Sequence, residues 1–256
     1  WLPYMALLAK ELRLVAAALR SERSLSQLHW GGGTPNWLPP ELAADFFTTL
    51  IKTFPLEPDA EVAIEIDPKT LRPGQLSSIR ALGFNRVSFG IQDTNPDVQI
   101  AIGRVFPAEA AAEVMAEAHE LEFEGINIDL IYGLPRQTLQ SFRQTVELVA
   151  SWRPNRISLF GYAHVPWMRP HQRLMLEADL PAARDRVQLF AAAAQLLESH
   201  GYLHLGLDHF VLPTDALTLA KHDGRLYRNF QGYSIRRADD LIGLGMSAIG
   251  YVGGSF

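Results

Sequence analysis

The sequence of 256 residues contains no cysteine, and this absence excludes every feature that would need a thiol within the chain. Neither a disulfide framework nor a thiolate metal site can form from these residues. Long apolar runs are missing as well, since Leu14 to Leu19 and Phe190 to Ala194 fall far short of the roughly 18 residues that a membrane span requires. No signal peptide opens the sequence. We therefore expect a cytoplasmic protein that does not enter a membrane.

An excess of positive charge is also lacking. The 23 Lys and Arg residues are outnumbered by 28 Asp and Glu residues, which gives a formal net charge of −5. Such a chain has no overall positive field to attract nucleic acid or anionic lipid, so we expect neither as a partner. With 48% hydrophobic and 20% charged residues, the composition also excludes disorder, collagen and coiled coil. Recognition of anions must come from individual sites.

Short apolar runs rich in β-branched residues alternate with longer segments of helical period. This alternation is typical of βα units arranged around a parallel sheet. The predicted strands are Leu25–His29, Glu61–Glu65, Arg86–Gly90, Gly125–Leu130, Arg156–Phe160 and Tyr202–Leu207. The predicted helices are Trp1–Arg23, Pro39–Phe54, Pro73–Leu82, Pro107–Leu121, Leu139–Ser151 and Ala182–His200. We expect one α/β domain over residues 1–256, with residues 202–256 covering one mouth of the sheet.

Polar residues follow four of the predicted strands. They stand in the segments His29–Pro35, Glu65–Pro68, Ser88–Asp93 and Asp129–Pro135. Because α/β folds bind ligands at the carboxyl ends of their strands, the four segments together predict a ligand site. Taken singly, each is more typical of a tight turn, a helix cap or a satisfied core residue. The glycine run in the first segment is neither a P-loop nor a dinucleotide-binding pattern, because the residues that those motifs need are missing.

Further segments carry a resemblance to a known family. They are Tyr162–Pro166, Asp208–Phe210, Tyr227–Tyr233 and Gly243–Gly250. With the strand-end segments, they make the sequence resemble, over essentially its whole length, the oxygen-independent coproporphyrinogen III oxidases of the radical S-adenosylmethionine (SAM) superfamily. The resemblance implies an α/β fold, a partial TIM-like (β/α)6 barrel of the radical SAM type. It also implies that the first strand and the C-terminal domain are absent from this chain, which we expect to be the central part of a longer protein.

The same resemblance implies two SAM molecules and a [4Fe-4S] cluster. Because the sequence lacks the family's Cys-x-x-x-Cys-x-x-Cys motif, we expect the cluster cysteines outside this chain, and the chain alone to be inactive. For the first SAM, the matching positions are Gly32, Glu65, Ala163 and Ile249. For the second SAM, they are Gly33, Thr34, Gln92, Arg104 and Asp129. Taken by itself, Arg104 is more typical of a surface arginine.

The activity that the resemblance implies is oxidative decarboxylation of coproporphyrinogen III to protoporphyrinogen IX, a step of haem biosynthesis. We expect a monomer with an unidentified electron donor and acceptor. Arg228, Gln231 and Tyr233 are expected at the substrate, although a loop with buried aromatic residues also explains them. No acid–base catalyst or metal ligand is assigned, since His204 and His209 are more typical of core or capping residues than of a metal pair. Two other interpretations stay open: a radical SAM-type haem chaperone and a catalytically inactive, cluster-free relative.

Overall fold

The computed structural model describes residues 1–19, 23–229, 232–237 and 240–253, in which helices and strands alternate. The helices are α1 (Leu2–Ala18), α2 (Pro40–Thr53), α3 (Gln75–Leu82), α4 (Pro96–Ala101), α5 (Ala108–Glu120), α6 (Leu139–Ser151), α7 (Ala183–Ser199) and α8 (Ala216–His222). The strands are β1 (Leu25–Trp30), β2 (Leu56–Ile66), β3 (Arg86–Gln92), β4 (Gly125–Tyr132), β5 (Arg156–Gly161), β6 (Leu203–Gly206), β7 (His209–Val211), β8 (Tyr227–Asn229) and β9 (Gly232–Ser234). Among the described residues, no helix is both long and apolar enough to cross a membrane.

The chain divides into two compact units, Trp1–Val87 with Gly224–Phe256, and Ser88–Asp223. In the first unit, β1 and β2 pair in parallel, and β8 and β9 form a separate antiparallel hairpin. In the second unit, the strands lie in the order β3-β4-β5-β7-β6. There β4 and β5 are parallel, whereas β7 is antiparallel to both of its neighbours. The α/β fold with parallel strands that the sequence predicts is confirmed.

In the first unit, an aromatic cluster fixes the end of β1. The ring of Trp30, the last residue of the strand, lies 5.9 Å from the ring of Phe46 and 6.0 Å from that of Phe47. The ring of Phe84 lies 5.3 Å away in an edge-on orientation. Tilted and edge-on aromatic pairs of this kind each contribute about 0.5–1.5 kcal/mol beyond the area that they bury. The cluster therefore holds the chain firmly just before the glycine run.

In the second unit, β4 separates its apolar and polar residues onto two faces. Ile126, Ile128 and Leu130 are at most 1% exposed. Burial of such side chains contributes about 1.5–3 kcal/mol each, as an upper estimate. Because side chains alternate along a strand, Asn127 and Asp129 share the opposite face. That polar face belongs to the predicted site.

The structure differs from the sequence prediction at the end of the second unit. The predicted strand Tyr202–Leu207 is shortened to β6, and the short strand β7 follows it. Leu207 adopts a left-handed conformation with φ of 50°, and the chain reverses at this turn. Phe210 and Val211 of β7 are fully buried, so their burial favours a place for β7 between β5 and β6. The sheet is consequently not purely parallel at this edge.

Asp93 is fully buried directly after β3 and organises the loops around it. Its Oδ1 accepts hydrogen bonds from the Thr145 hydroxyl at 2.7 Å and from the Asn95 N–H at 2.8 Å. Its Oδ2 accepts from Gln137 Nε2 at 2.6 Å, and Gln137 in turn accepts from the Gly133 N–H at 2.6 Å. Burial raises the pKa of Asp93, although these donors oppose the shift. The carboxyl group thus ties α6 and the loop after β4 to the end of β3.

The first prediction concerns this network. Thr145→Val removes the hydroxyl donor but keeps the β-branched shape, and we expect it to lower the free energy of unfolding by about 1–3 kcal/mol. Because the folded-state pKa of Asp93 is raised, ionisation of Asp93 lowers the free energy of unfolding as pH rises through that pKa. The Thr145 hydroxyl bonds most strongly to the ionised carboxylate, so the stability lost in Thr145→Val should become smaller as acid protonates Asp93. Urea unfolding of the full-length protein at neutral and mildly acidic pH measures both effects.

The matched control is Thr49→Val on α2. Thr49 is exposed, and among the residues that the structure describes its hydroxyl donates only to the Asp45 carbonyl in the preceding turn. Exposed substitutions of this kind usually change stability by no more than about 0.5 kcal/mol. Equal losses from the two substitutions would contradict the role given to the Asp93 network.

Candidate functional site

The glycine run that follows β1 lies against the end of β2. Gly31 has no space for a side chain, since a Cβ there would lie 2.5 Å from His29 Nε2 and 2.6 Å from Glu65 Oε1. Gly32 and Gly33 adopt left-handed conformations with φ of +71° and +65°, which glycine enters without steric cost. No described atom outside the adjoining residues lies within 4 Å of the Cβ position at Gly33. The backbone of the run is therefore open to close approach by a ligand.

Glu65, near the end of β2, is held by two donors. The Gly32 N–H donates to Oε2 at 3.1 Å, and His29 Nε2 lies 3.1 Å from Oε1. The hydrogen bond to His29, followed by that from Gly32, lowers the pKa of Glu65, so its carboxylate is ionised at neutral pH. The side chain is 45% exposed. Because a carboxylate has about four acceptor positions, Glu65 can receive further hydroxyl donors.

The segment Gly243–Gly250 approaches the glycine run within the first unit. The segment folds back on itself, since a Cβ at Gly243 would lie 2.8 Å from the carbonyl carbon of Ile249. The Ser247 hydroxyl lies 3.7 Å from the Cβ position of Gly32. The structure thus places the segment that carries Ile249 beside the glycine run. Ile249 itself is 54% exposed.

In the second unit, Asp129 belongs to a polar network that crosses three strands. Asn127 Nδ2 donates to Asp129 Oδ1 at 2.8 Å, and the Ser88 hydroxyl donates to Oδ2 at 3.1 Å. Asn127 Nδ2 also donates to the Ser88 hydroxyl at 2.8 Å, while its Oδ1 accepts from Ser158 at 3.1 Å. The neutral donors of β3, β4 and β5 therefore fix the orientation of the Asp129 carboxylate.

Gln92 and Arg104 both lie over Gly90. A Cβ at Gly90 would stand 2.8 Å from Gln92 Nε2 and 3.6 Å from Arg104 Nη2, and Arg104 Nη2 donates to the Gly90 carbonyl at 3.3 Å. Gln92 ends β3 in a left-handed conformation with φ of 68°, which costs a non-glycine residue about 1 kcal/mol or more. Backbone strain of this kind clusters at functional sites. The half-buried position of Arg104 differs from the plain surface arginine that its sequence context favours.

At Thr34 and Ala163, the backbone rather than the side chain is the part that would meet a ligand. Thr34 is extended and caps the short 3-10 turn Pro35–Trp37, without a hydrogen bond from its side chain to that turn. Ala163 is exposed just beyond β5. Its carbonyl accepts a hydrogen bond from Gln172 Nε2 at 3.0 Å and keeps a second lone pair for a ligand.

The predicted substrate residues Arg228 and Tyr233 meet in the hairpin β8–β9. They face each other as cross-strand partners, and the guanidinium of Arg228 lies 5.2 Å from the centre of the Tyr233 ring. The ring of Tyr227 is instead approached by Arg237, at 5.9 Å. Gln231 lies outside the described residues. Tyr227 and Arg228 are exposed, whereas Tyr233 is half-buried.

His204 and His209, which the sequence offers as a conceivable metal pair, have separate structural partners. His204 stacks on Phe210, with 4.5 Å between ring centres, and its Nε2 bonds to the Leu207 carbonyl at 2.8 Å. His209 Nδ1 lies 3.0 Å from Asp208 Oδ1. Among the described residues, no group of three His, Cys, Asp or Glu side chains could hold a metal ion. These contacts support a structural role for both residues.

Asn127 and His29 contact predicted site residues but were not themselves predicted as site residues. For Asn127 a signal existed, because a position two residues before Asp129 in a strand lies on the same face. For His29 there was none. Its contact with Glu65 depends on the register of β1 against β2, which places His29 opposite Ala63.

Comparisons with known proteins show what the whole chain is similar to. The oxygen-independent coproporphyrinogen III oxidase of Synechocystis sp. is 43% identical over 247 residues, which cover 96% of this chain and 53% of that protein. The protein of the same name from Escherichia coli is 42% identical over 237 residues, which cover 93% of this chain and 52% of that protein. A solved structure described as coproporphyrinogen III oxidase from Escherichia coli, a radical SAM enzyme, superposes with a TM-score of 0.95 and 41% identity.

That superposition covers 98% of this chain and 58% of the solved one, so the chain spans little more than half the length of these relatives. The family model described as the Radical SAM superfamily matches residues 2–149, which is more than half of this chain. The chain therefore belongs to the radical SAM superfamily.

Proposed function

We propose that the longer protein containing this chain catalyses the oxygen-independent oxidative decarboxylation of coproporphyrinogen III to protoporphyrinogen IX. The observation that carries this proposal is the superposition on the Escherichia coli oxidase, with a TM-score of 0.95 and 41% identity over 98% of this chain. Likeness at this level extends well beyond the barrel motifs that radical SAM proteins share. Because the chain spans 53% of its Synechocystis relative, the activity belongs to the longer protein.

The first unit offers a donor set that fits SAM. The ionised carboxylate of Glu65 accepts without donating, which suits the two hydroxyls of a ribose. The open backbone at Gly32 suits close approach by the methionine amino group. We place the first SAM on these residues, with Ile249 and Ala163 assigned to the adenine. Bound SAM would supply, with one electron from the reduced cluster and methionine as the leaving group, a carbon-centred radical able to remove a hydrogen atom from a propionate side chain.

The second unit supplies charged groups of both signs that fit the second SAM. The planar guanidinium of Arg104 can pair bidentately with an amino acid carboxylate. Asp129 is held ready to accept hydrogen bonds, and Gln92 can both donate and accept. We assign these residues, together with Gly33 and Thr34, to the second SAM. These residues bind and orient SAM, and a radical reaction of this kind needs no acid–base pair.

The residues of this chain do not fit an iron–sulfur cluster. The chain contains no cysteine, and thiolates are the usual ligands of such clusters. We therefore assign the cluster to cysteines outside this chain. A monomeric state, a cytoplasmic location and separate electron donor and acceptor proteins remain predictions.

Substrate recognition is assigned to the hairpin β8–β9. Coproporphyrinogen III carries four propionates, and guanidinium groups constrain both the direction and the distance of a carboxylate. The guanidinium of Arg228 stacks on Tyr233 and makes no hydrogen bond or ion pair with any other residue in the described part of the chain. Arg228 is thus positioned by stacking, with its donors available to a propionate. Gln231 is assigned to the same role from the resemblance alone.

The second prediction tests the assignment of Glu65. In the reconstituted full-length protein, Glu65→Gln should weaken SAM binding at least about tenfold, or about 1.4 kcal/mol, because one acceptor oxygen becomes a donor. Glu61→Gln is the matched control on the same strand, since Glu61 pairs with Arg86 at 3.3 Å. Calorimetry gives both affinities. Unchanged SAM affinity in the Glu65 variant would remove Glu65 from the site.

The third prediction concerns Arg228. We expect Arg228→Ala in the full-length enzyme to lower decarboxylation at least about tenfold, or about 1.4 kcal/mol, with SAM affinity unchanged. Arg237→Ala is the control, because Arg237 also lies over a tyrosine ring but belongs to no predicted site. Anaerobic turnover of coproporphyrinogen III followed by product chromatography measures the effect. Undiminished vinyl formation would exclude this role for Arg228.

The fourth prediction separates the oxidase from its alternatives. After anaerobic reconstitution, the full-length protein should hold a four-iron cluster and form vinyl product, whereas residues 1–256 alone should retain no iron and form none. Iron and sulfide analysis, product chromatography and a haem titration are run together. Tight haem binding without vinyl product would favour the haem-chaperone interpretation over the oxidase interpretation. A full-length protein that holds no cluster would indicate a catalytically inactive relative.

A further inference from the structure

Arg186, in the first turn of α7, reaches across the carboxyl ends of β4 and β5. Its Nη2 donates to the Tyr162 carbonyl, just beyond β5, at 2.5 Å. A Cβ built at Gly133, just beyond β4, would lie 2.7 Å from Arg186 Nε, and one at Gly161 would lie 3.6 Å from Nη2. The guanidinium therefore occupies space that two glycines leave open. No motif in the sequence points to Arg186.

The charge of Arg186 is not balanced by a neighbouring carboxylate. Within the described part of the chain, the hydrogen bond to the Tyr162 carbonyl is its guanidinium's sole polar contact. The side chain is half-buried, where a lone charge costs more than it does in water. A guanidinium has five N–H donors, so most of them remain for another partner.

The surroundings favour an anion with an apolar body. Gly161 is the strand partner of Tyr132, whose ring lies 5.5 Å from that of Phe190 on α7. These rings give the site an apolar wall that is edged by the Tyr132 hydroxyl, whose oxygen lies 3.0 Å from the Cβ position of Gly161. Arg186 also stands at the positive end of a helix of 17 residues, whose first turn carries the exposed Asp185 but has no side-chain cap. The site lies at the carboxyl ends of parallel strands, where α/β folds bind ligands.

We propose that Arg186 binds a carboxylate of a ligand held at the ends of β4 and β5. This inference rests on the proposed function, which supplies two sources of that group: a propionate of the tetrapyrrole or the amino acid carboxylate of SAM. Both offer a planar pair of oxygens that a guanidinium meets with two parallel hydrogen bonds. The apolar wall of Tyr132 and Phe190 favours the tetrapyrrole.

The test compares two neutral variants of the full-length protein, Arg186→Gln and Arg186→Met, with the control Arg184→Gln. Arg184 is exposed in the same helical turn and has no polar partner among the described residues. Coproporphyrin III, the stable oxidised tetrapyrrole, is titrated by fluorescence quenching, and SAM is titrated by calorimetry. We expect coproporphyrin III to bind at least about tenfold more weakly to both neutral variants, with the control within about twofold and SAM affinity unchanged.

The two titrations distinguish the possible outcomes. Weakened SAM binding with unchanged coproporphyrin III binding would identify SAM as the source of the carboxylate. Unchanged affinity for both ligands in a folded neutral variant would overturn the proposal. Thermal melting shows which variants fold; if neither neutral variant does, the neutral Arg186→Asn and Arg186→Leu are measured instead, and unchanged affinity for both ligands would again overturn the proposal. Failure of the unmutated protein to form vinyl product would overturn the proposed function separately.

Discussion

Every polar side chain placed inside a parallel sheet must find hydrogen-bond partners, and the structure at the strand ends follows from this constraint. Asp93 shows it most clearly, because its buried carboxylate is satisfied by donors from α6 and from the loop after β4. Asp129 shows the same requirement along three neighbouring strands. Burying a carboxylate lowers stability, and the hydrogen bonds that satisfy it also fix the orientation of its two oxygens. A ligand then meets preorganised acceptors rather than freely rotating ones.

The regular elements could be predicted where the local pattern is strong. Helix α6 begins and ends where its apolar period predicts, and the alternation in β4 marks its buried face. The first residues of β2 escaped prediction because Glu57, Pro58 and Asp59 are polar or lack a donor, and they lie at an irregularity in the β1–β2 register that no local pattern shows. Strand β7 is too short to show a period. Its place depends on burial of Phe210 against distant elements, which no local pattern contains.

The candidate site could be predicted as a set of residue types but not as a set of contacts. Glu65 and the glycine run stand out in the sequence, whereas the hydrogen bond to His29 depends on strand register. The arginines illustrate the same limit. The chain carries a net charge of −5, yet Arg186 and Arg228 have no carboxylate partner in the described part of the chain. Anion recognition in an acidic protein thus depends on which arginines remain unneutralised, and only three-dimensional structure reveals that.

The left-handed backbone at Gln92 has a consequence for the evolution of the protein. Glycine at this position would relieve strain and raise stability by about 1 kcal/mol, offset in part by the greater freedom of the unfolded chain. Selection for thermal tolerance alone would therefore favour loss of the amide side chain. A stabilisation screen that scores only the melting temperature would therefore count Gln92→Gly as a gain, although it removes the amide group that this position presents.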